Sequence, residues 1–195
     1  MSQLNSKIKN MKRNLILEEA LLMFEEYGYE ELKISTLAKK VGVSVGTIYS
    51  YFKSKEDLYS ACMLSEIQKA HGLHEELFSQ NDISHEEKLK RAIKIKFDIM
   101  SKKRTSIVSG ALSNPFFFES HQLQHMEAIN EIYDLYLDSI NALKKVDIDS
   151  YQLIYILNSI TNAYILKWTE DDLNYLKNKD EEVFGVFMSI LKGCS

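Results

Sequence analysis

Residues 33–52 read KISTLAKKVGVSVGTIYSYF, and this stretch has the mechanics of a helix-turn-helix. Ala38 is small at the point where a first helix must let a second one cross closely. Gly42 supplies the left-handed conformation that a tight turn between two helices requires. Val43, Ile48 and Phe52 are spaced so that their side chains fill the space between the helices. The stretch therefore predicts two short helices, over about 35–41 and 45–52, joined by a tight turn.

The second of these helices has the features of a helix that reads DNA. Ser44 is placed to cap it, and the recognition helix of such a motif enters the major groove by its N-terminal turn. Gly46 removes side-chain bulk in that turn, so that the backbone can approach DNA closely. Thr47, Tyr49 and Ser50 offer hydroxyl groups along the same helix. We therefore expect this segment to bind double-stranded DNA.

Flanking residues extend the motif into a more specific signature. The pattern resembles that of the TetR family of bacterial transcriptional regulators at Leu37-Ala38, Gly42-Val43-Ser44, Gly46-Thr47-Ile48-Tyr49 and Tyr51-Phe52-Lys53-Ser54-Lys55-Glu56-Asp57-Leu58. The resemblance covers about 50 residues, from the first helix to the start of the fourth. It implies a homodimer of all-helical subunits, each with a three-helix DNA-binding head and a larger body that binds a small effector.

The resemblance also implies which residues contact DNA. The family commonly has Thr or Ser just before the second helix, whereas this chain has Lys33-Ile34. We therefore expect Ser35 to cap that helix one turn late and Lys33 to contribute a phosphate contact. Lys55 matches a lysine that begins the fourth helix of the family and binds a DNA phosphate. The N-terminus of a helix also favours an anion at this point. The implied DNA-binding residues are Lys33, Ser35, Ser44, Val45, Gly46, Thr47, Tyr49, Ser50, Tyr51 and Lys55.

The composition indicates a globular protein made almost wholly of helices. Of its 195 residues 45% are hydrophobic and 27% charged, with one proline and seven glycines. So few turn residues exclude an all-β sandwich or barrel. The apolar periodicity predicts an all-α fold of about nine helices, over about 8–27, 35–41, 45–52, 55–77, 84–101, 104–112, 118–144, 151–168 and 183–191. We expect residues 1–54 to form the DNA-binding domain and residues 55–195 the effector-binding and dimerisation domain.

The last two predicted helices indicate a homodimer. Apolar residues occupy nearly every face of the chain between 151 and 168 and between 183 and 191. A helix that is apolar all round must be buried all round, and two such helices are more than one small core can cover. The predicted interface residues are Ile154, Leu157, Ile160, Ile165, Val183, Phe184, Phe187 and Ile190.

The body also contains more polar-tipped aromatic side chains than a dry core needs, together with Asn158 and Asn162 on a helix predicted to be buried. This mixture suits a pocket for an apolar or aromatic ligand with a few polar groups. The excess negative charge of the body favours a neutral or cationic ligand. The predicted pocket residues are Phe97, His125, Tyr133, Tyr136, Tyr164 and Trp168.

Other classes of protein and site find no support. The sequence has no nucleophile elbow and no phosphate-binding glycine loop, so we expect neither an enzyme nor a cofactor. His121 and His125 have the spacing of a shared metal site, but no third ligand is apparent nearby and we expect no metal. Two cysteines and apolar runs of no more than five residues predict a cytoplasmic protein that does not enter a membrane.

The favoured interpretation is a repressor that binds a pseudo-palindromic operator as a dimer and is released by a small effector. Two alternatives stay open. In the first, the chain is a DNA-binding regulator, for example an activator, whose body only dimerises. In the second, the body is a helical ligand carrier or enzyme and the head is a vestige. A cavity with polar lining in the body would separate the favoured interpretation from the first alternative.

Overall fold

The computed structural model describes residues 2–101, 122–171 and 175–193. Within these ranges the chain forms nine α-helices and no strand. Their bounds are α1 Ser2–Glu31, α2 Ile34–Val41, α3 Val45–Tyr51, α4 Lys55–Phe78, α5 His85–Ser101, α6 Gln122–Asp134, α7 Leu137–Leu143, α8 Ser150–Asp171 and α9 Lys179–Lys192. The predicted all-α class is confirmed. The helix predicted over 104–112 lies outside the described residues.

The first hydrophobic core lies in the head, between α1, α2, α3 and the first turns of α4. It runs along the chain from Ile16 to Cys62 and includes the fully buried rings of Phe24 and Phe52. The helical run of α1 is interrupted at Gly28, whose φ of 81° and ψ of 168° are not helical. The first helix therefore ends its regular part where the glycine predicted it, although it begins several residues earlier than the apolar pattern indicated.

Helix α4 connects the head to the body. The sequence Ser54-Lys55-Glu56-Asp57 predicts a capping box at its N-terminus, with Ser54 as the cap and Asp57 at the third helical position. In the structure the Ser54 hydroxyl accepts from the Asp57 amide at 3.1 Å, and the Asp57 carboxylate accepts from the amide of the preceding Lys53 at 2.7 Å. Leu58 near its start is buried in the head core, and Leu77 at its end is buried in the body core. One continuous helix therefore reaches from the first core to the second.

The stripe predicted as one long helix over 118–144 is divided in the described residues into α6 and α7. The amides of Leu135 and Tyr136 donate to the carbonyls of Ile132 and Tyr133, three residues earlier, and this tight turn ends α6. The break redirects the chain, because α6 packs on α4 whereas α7 packs on α5 and α8. The prediction of a single helix was wrong. The break was missed because no glycine or proline marks this turn in the sequence.

The residues predicted at a dimer interface lie instead in the core of their own subunit. Ile154, Leu157, Ile165, Val183 and Phe187 are buried, and Ile160, Phe184 and Ile190 are half-buried against the same core. Helices α5 and α7 cover the faces of α8 and α9 that carry these residues. The assignment of the five buried residues to an interface was therefore wrong, because they have no surface left for a partner.

A different face of the last two helices is exposed. Tyr151 and Tyr155 lie one turn apart on α8 and are both exposed, and on α9 the exposed residues include Val186, 44% exposed. Glycine and serine flank this valine at Gly185 and Ser189, and both are exposed. In the described part of the chain, no helix is both long and apolar enough to cross a membrane.

Candidate nucleic-acid interface and ligand cavity

The turn of the helix-turn-helix forms as the sequence predicts. Gly42 ends α2 with a φ of 76°, and its amide donates to the Lys39 carbonyl at 3.3 Å. The Val43 amide then donates to the Ala38 carbonyl at 2.9 Å, which completes a Schellman-type end. Ala38 itself is buried where α3 crosses α2. The turn fixes the angle between α2 and α3 within the head.

Helix α3 is closed at its N-terminus by Ser44, as predicted. The Ser44 hydroxyl accepts from the Thr47 amide at 3.0 Å and lies 2.9 Å from the Thr47 hydroxyl. The Ser50 hydroxyl donates to the Thr47 carbonyl at 2.7 Å. Ile48 and Phe52 fill the core on the inner side. The short helix is therefore held rigidly by its cap and by its buried face.

The outer face of α3 presents the residues expected to read DNA. Val45 and Tyr49 are exposed, Tyr49 by 48%. A Cβ added at Gly46 would meet only the Ser44 hydroxyl oxygen, at 3.7 Å. Nothing within the subunit therefore requires glycine at this position. A close approach by an external partner does explain it.

The N-terminus of α2 departs from the prediction. Helix α2 begins at Ile34, and Lys33 occupies the capping position without a side-chain hydrogen bond. Ser35 lies inside the first turn, so the prediction that it caps the helix one turn late was wrong. The amides of Thr36 and Leu37 already donate to the Lys33 carbonyl at 3.0 and 3.2 Å, so the helix starts on backbone bonds alone. Lys33 and Ser35 are both exposed and remain predicted DNA contacts.

Lys55 joins the start of α4 to the end of α1. Its ammonium donates to the Glu30 carbonyl at 3.0 Å and lies 4.7 Å from the centre of the Tyr29 ring. The Tyr29 hydroxyl donates to the Glu56 carboxylate at 2.9 Å. Burial and this hydrogen bond raise the pKa of Tyr29, while the Ser54 hydroxyl lowers the pKa of Glu56. The predicted phosphate-binding lysine is thus positioned by the head itself.

A cavity of about 270 Å³ lies in the body between α4, α5, α6 and α8. Most of its wall is apolar, with isoleucine from each of the last three of these helices. Its lining residues are Ala70, His74, Ile93, Lys96, Ile99, Met100, Ile129, Ile132, Tyr133, Tyr136, Ile154, Leu157, Asn158, Thr161 and Asn162. An apolar pocket with a few converging polar groups is the usual form of a small-molecule site.

Two of the predicted pocket residues line this cavity, Tyr133 and Tyr136. Phe97 is buried in the body core, and the Tyr164 hydroxyl donates to Glu182 at 2.7 Å, so neither reaches the cavity. The side chain of Trp168 lies outside the described part of the structure. Tyr133 and Tyr136 therefore remain predicted pocket residues. The cavity wall contradicts the assignment of Phe97, which is core, and of Tyr164, whose hydroxyl joins α8 to α9.

His125 is not in the cavity wall but between α4 and α6. Its Nε2 lies 3.1 Å from both the hydroxyl and the carbonyl oxygen of Ser60, and both residues are buried. His125 was predicted as a pocket residue, and that assignment was wrong. The pair ties α6 to the part of α4 that lies nearest the head core. In the described residues no three His, Cys, Asp or Glu side chains converge on a metal position, and His121 lies outside them.

The cavity contains a lysine that the sequence interpretation missed. The Lys96 ammonium donates to the Asn158 amide oxygen at 2.7 Å, the Thr161 hydroxyl at 2.6 Å and the Asn162 amide oxygen at 2.9 Å. Burial lowers the pKa of Lys96 from its ordinary value to about 7. A sequence signal did exist, because Lys96 follows Ile93 by three residues and precedes Met100 by four on one face of α5.

The local charge of the cavity is opposite to that of the whole chain. Lys96 carries a positive charge below its pKa of about 7, and among the described lining residues there is no carboxylate. His74 also lines the cavity, and its Nδ1 lies 2.7 Å from the Ala70 carbonyl; burial lowers the pKa of its imidazole. The prediction of a cationic ligand relied on net charge and does not fit this wall, where a second cation would be repelled.

Comparison with known proteins agrees with the geometry of the head. The sequence model described as "Bacterial regulatory proteins, tetR family" matches residues 16–62, the span covered by the head core. The fatty acid metabolism regulator protein of Bacillus subtilis is 30% identical over 151 residues, which are 75% of this chain and 73% of that protein.

Solved structures share the fold over nearly the whole chain. The transcriptional regulator FadR from Bacillus subtilis, in complex with stearoyl-CoA, superposes with a TM-score of 0.65 at 22% identity over 90% of this chain and 97% of its own. The TetR family regulator PfmR from Thermus thermophilus has a TM-score of 0.61 at 20% identity, with coverages of 92% and 98%. At such identities the likeness shows the fold alone.

The family's own sequence model thus matches the head, and a relative is matched over most of its length. This chain belongs to the TetR family of bacterial regulatory proteins and is a DNA-binding transcriptional regulator.

Proposed function

We propose that the protein is a transcriptional repressor that binds a pseudo-palindromic operator as a homodimer and leaves it when a small acyl compound occupies the body cavity. The observation that carries this proposal is the path of α4. This helix begins at Lys55, whose ammonium binds the Glu30 carbonyl of the head, and near its other end it lines the cavity with Ala70 and His74. A ligand and a DNA site are therefore connected by one rigid element.

The DNA site is the outer face of α3 with its neighbours. In this proposal Gly46 lets the backbone approach the major groove, while Thr47 and Tyr49 contact base edges and Lys55 contacts phosphate. Lys33 is exposed beside the start of α2, where it reaches the backbone of the same duplex. Residues 1–54 act as the DNA-binding domain and residues 55–195 as the regulatory domain. Such a protein works in the bacterial cytoplasm, where the DNA is.

Dimerisation follows from the geometry of operator binding. A second head must reach the next half-site, about 34–36 Å along the duplex, and one subunit carries one head. The exposed face of α8 and α9 offers Tyr151, Tyr155 and Val186, with small residues beside Val186 that allow close approach. This face replaces the five buried residues that the sequence had assigned to the interface, whereas the half-buried Ile160, Phe184 and Ile190 remain predicted interface residues. Val186→Asp should give a monomer that no longer binds the operator, whereas exposed Leu73→Asp on α4 should remain dimeric.

The nature of the effector is supported by the wall of the cavity and by the relatives. The wall is mostly apolar in area and includes five isoleucines, a methionine and a leucine, which suits an alkyl chain. The Bacillus subtilis relative is a fatty acid metabolism regulator, and the FadR structure with the same fold holds stearoyl-CoA. The cavity also favours this proposal over the alternative in which the body only dimerises.

The test is a selection of genomic fragments bound by the purified protein, followed by gel-shift titrations on the recovered operator. We expect two-fold symmetric half-sites and loss of the shifted band when straight-chain acyl compounds are added. An operator complex that persists at saturating concentrations of every acyl compound that binds the protein would contradict the proposed release.

A further inference from the structure

The polar cluster around Lys96 places an amine and three uncharged oxygens in a wall that is otherwise mostly apolar. Three helices converge there: α5 supplies Lys96, α8 supplies Asn158, Thr161 and Asn162, and the apolar wall continues on α6. Replacing such a charged group by an apolar one of similar size is commonly neutral or stabilising in a core. The cluster therefore needs another explanation.

The ammonium of Lys96 has hydrogen-bond acceptors in the cavity wall, but the described residues of the wall supply no negative charge to neutralise it. An ammonium has three N–H donors, and the three acceptors around Lys96 use all of them. Each of the three is an uncharged amide or hydroxyl oxygen. A desolvated charge that lacks an opposite charge is costly, and an anion brought into the cavity would remove that cost.

We propose that Lys96, with Asn158, Thr161 and Asn162, binds the carboxylate of an effector whose alkyl part fills the rest of the cavity. This inference rests on the proposed function, since it names the chemistry of the same ligand. When the Asn158 and Asn162 amides rotate away, they release two N–H donors of the ammonium, and the carboxylate accepts a charge-assisted hydrogen bond from one of them. The two asparagine side chains can turn their NH₂ groups towards it, because an amide offers donors as well as an acceptor.

The size of the cavity favours a free carboxylate over a coenzyme. The volume of about 270 Å³ lies just below the roughly 300–1,000 Å³ of sites for drug-sized ligands, so it suits a compact molecule. A carboxylate is small and planar, and it places one negative charge at the end of an alkyl chain. An acyl thioester places an uncharged carbonyl at that point and carries its phosphates on the bulky coenzyme. The carboxylate is the better complement to an unneutralised ammonium.

The other titratable groups that face the cavity are His74 on α4 and Tyr133 and Tyr136 on α6, and the described residues of α8 in the wall add none. Burial lowers the pKa of His74, so its imidazole is neutral above pH 7. Burial raises the pKa of Tyr133 to about 12 and also raises that of Tyr136, so both hydroxyl groups stay protonated. Between pH 7 and 9, therefore, Lys96 is the group that changes charge among the described residues of this wall.

The experiment is calorimetric titration of the full chain, without DNA, with octanoate, octan-1-ol, octylamine and octanoyl-CoA. We expect octanoate to bind about 10- to 100-fold more tightly than octan-1-ol, as for a charge-assisted hydrogen bond, and more tightly than the other two ligands. Lys96→Met should abolish this preference while octan-1-ol still binds. The matched control is Lys94→Met, two residues earlier on the same helix and exposed, which should behave as the wild type.

A second readout measures the proton that Lys96 takes up when octanoate binds. At pH 8 binding of octanoate should draw a proton onto Lys96, so the heat of binding should depend on the ionisation enthalpy of the buffer for the wild type and not for Lys96→Met. Octan-1-ol or octanoyl-CoA binding the wild type as tightly as octanoate would overturn the inference, as would failure of octanoate to bind. These wild-type results decide it even if Lys96→Met does not fold. Tight octanoate binding that leaves the operator complex intact would instead overturn only the proposed function.

Discussion

The two cores of this subunit differ in where they place their polar groups. In the head, from Ile16 to Cys62, the buried residues are almost all apolar, and the polar groups proposed to contact DNA lie on the outer face of α3. In the body, a lysine with three hydrogen bonds lies in the wall of an internal cavity. The head therefore acts through its surface and the body through its interior. Mutations should separate the two kinds of site by what they damage.

The largest expected effect concerns the body core. Phe187 is fully buried, so Phe187→Ala should lower the free energy of unfolding by about 3–5 kcal/mol through lost transfer energy and a cavity. Val186→Ala is the matched control one residue earlier, on the exposed face, and should change stability by less than about 0.5 kcal/mol in the monomer. Urea unfolding of both variants measures the difference. Equal losses would show that the division of α9 into core and exposed faces is wrong.

The next effect concerns the surface of the head. Tyr49→Ala should weaken operator binding by about 1–3 kcal/mol, because one good base contact is lost. Stability should change little, since the side chain is half exposed. Gel-shift titrations with operator and with unrelated DNA should show a loss confined to the operator. A parallel loss on both DNAs would place Tyr49 against phosphate rather than bases.

The third effect is a pH dependence that belongs to the body alone. Burial lowers the pKa of Lys96 from 10.5 to about 7, so between these values the unfolded chain binds a proton that the native protein does not. Stability should therefore rise with pH above 7, by up to about 1.4 kcal/mol per pH unit from this group. Urea unfolding at pH 7.5 and 8.5 measures the slope, and Lys96→Met should lack this contribution. An unchanged slope in the variant would mean that Lys96 is well solvated.

The smallest effect again concerns the head. Gly46→Ala fits within the subunit, because the added Cβ meets only the Ser44 oxygen at 3.7 Å. Alanine favours a helix over glycine by about 0.5–1 kcal/mol, so the variant should be slightly more stable. Operator affinity should nevertheless fall, because the methyl group stands between the backbone and the DNA. Thermal unfolding and gel shifts on the same preparation test both halves of this expectation.

The head could be predicted from the sequence because its function depends on local rules. The turn at Gly42, the cap at Ser44 and the capping box at Ser54 each depend on residues within a few positions, and all three form as expected. The one failure in this region, the cap of α2, arose because backbone bonds to the Lys33 carbonyl sufficed.

The body resisted prediction because its features depend on which helix covers which face. Most apolar residues of α8 and α9 are buried or half-buried as expected, although Tyr155 and Val186 are exposed. The sequence did not reveal that α5 and α7 of the same subunit cover the buried ones. Lys96 lies on the same face of α5 as Ile93 and Met100, but the sequence does not show that Asn158 and Asn162 on α8 bind its ammonium. The break before α7 likewise follows from packing on α5 and not from a turn residue.

The central claim is that α4 couples the cavity to the operator, and reciprocal binding tests it most directly. The affinity for the operator should be measured with and without saturating octanoate, and the affinity for octanoate with and without saturating operator. Linkage requires the two factors to be equal, and we expect a value in the usual range of about 5- to 150-fold. Octanoate that binds in the cavity with the same affinity whether or not the operator is present would contradict the account.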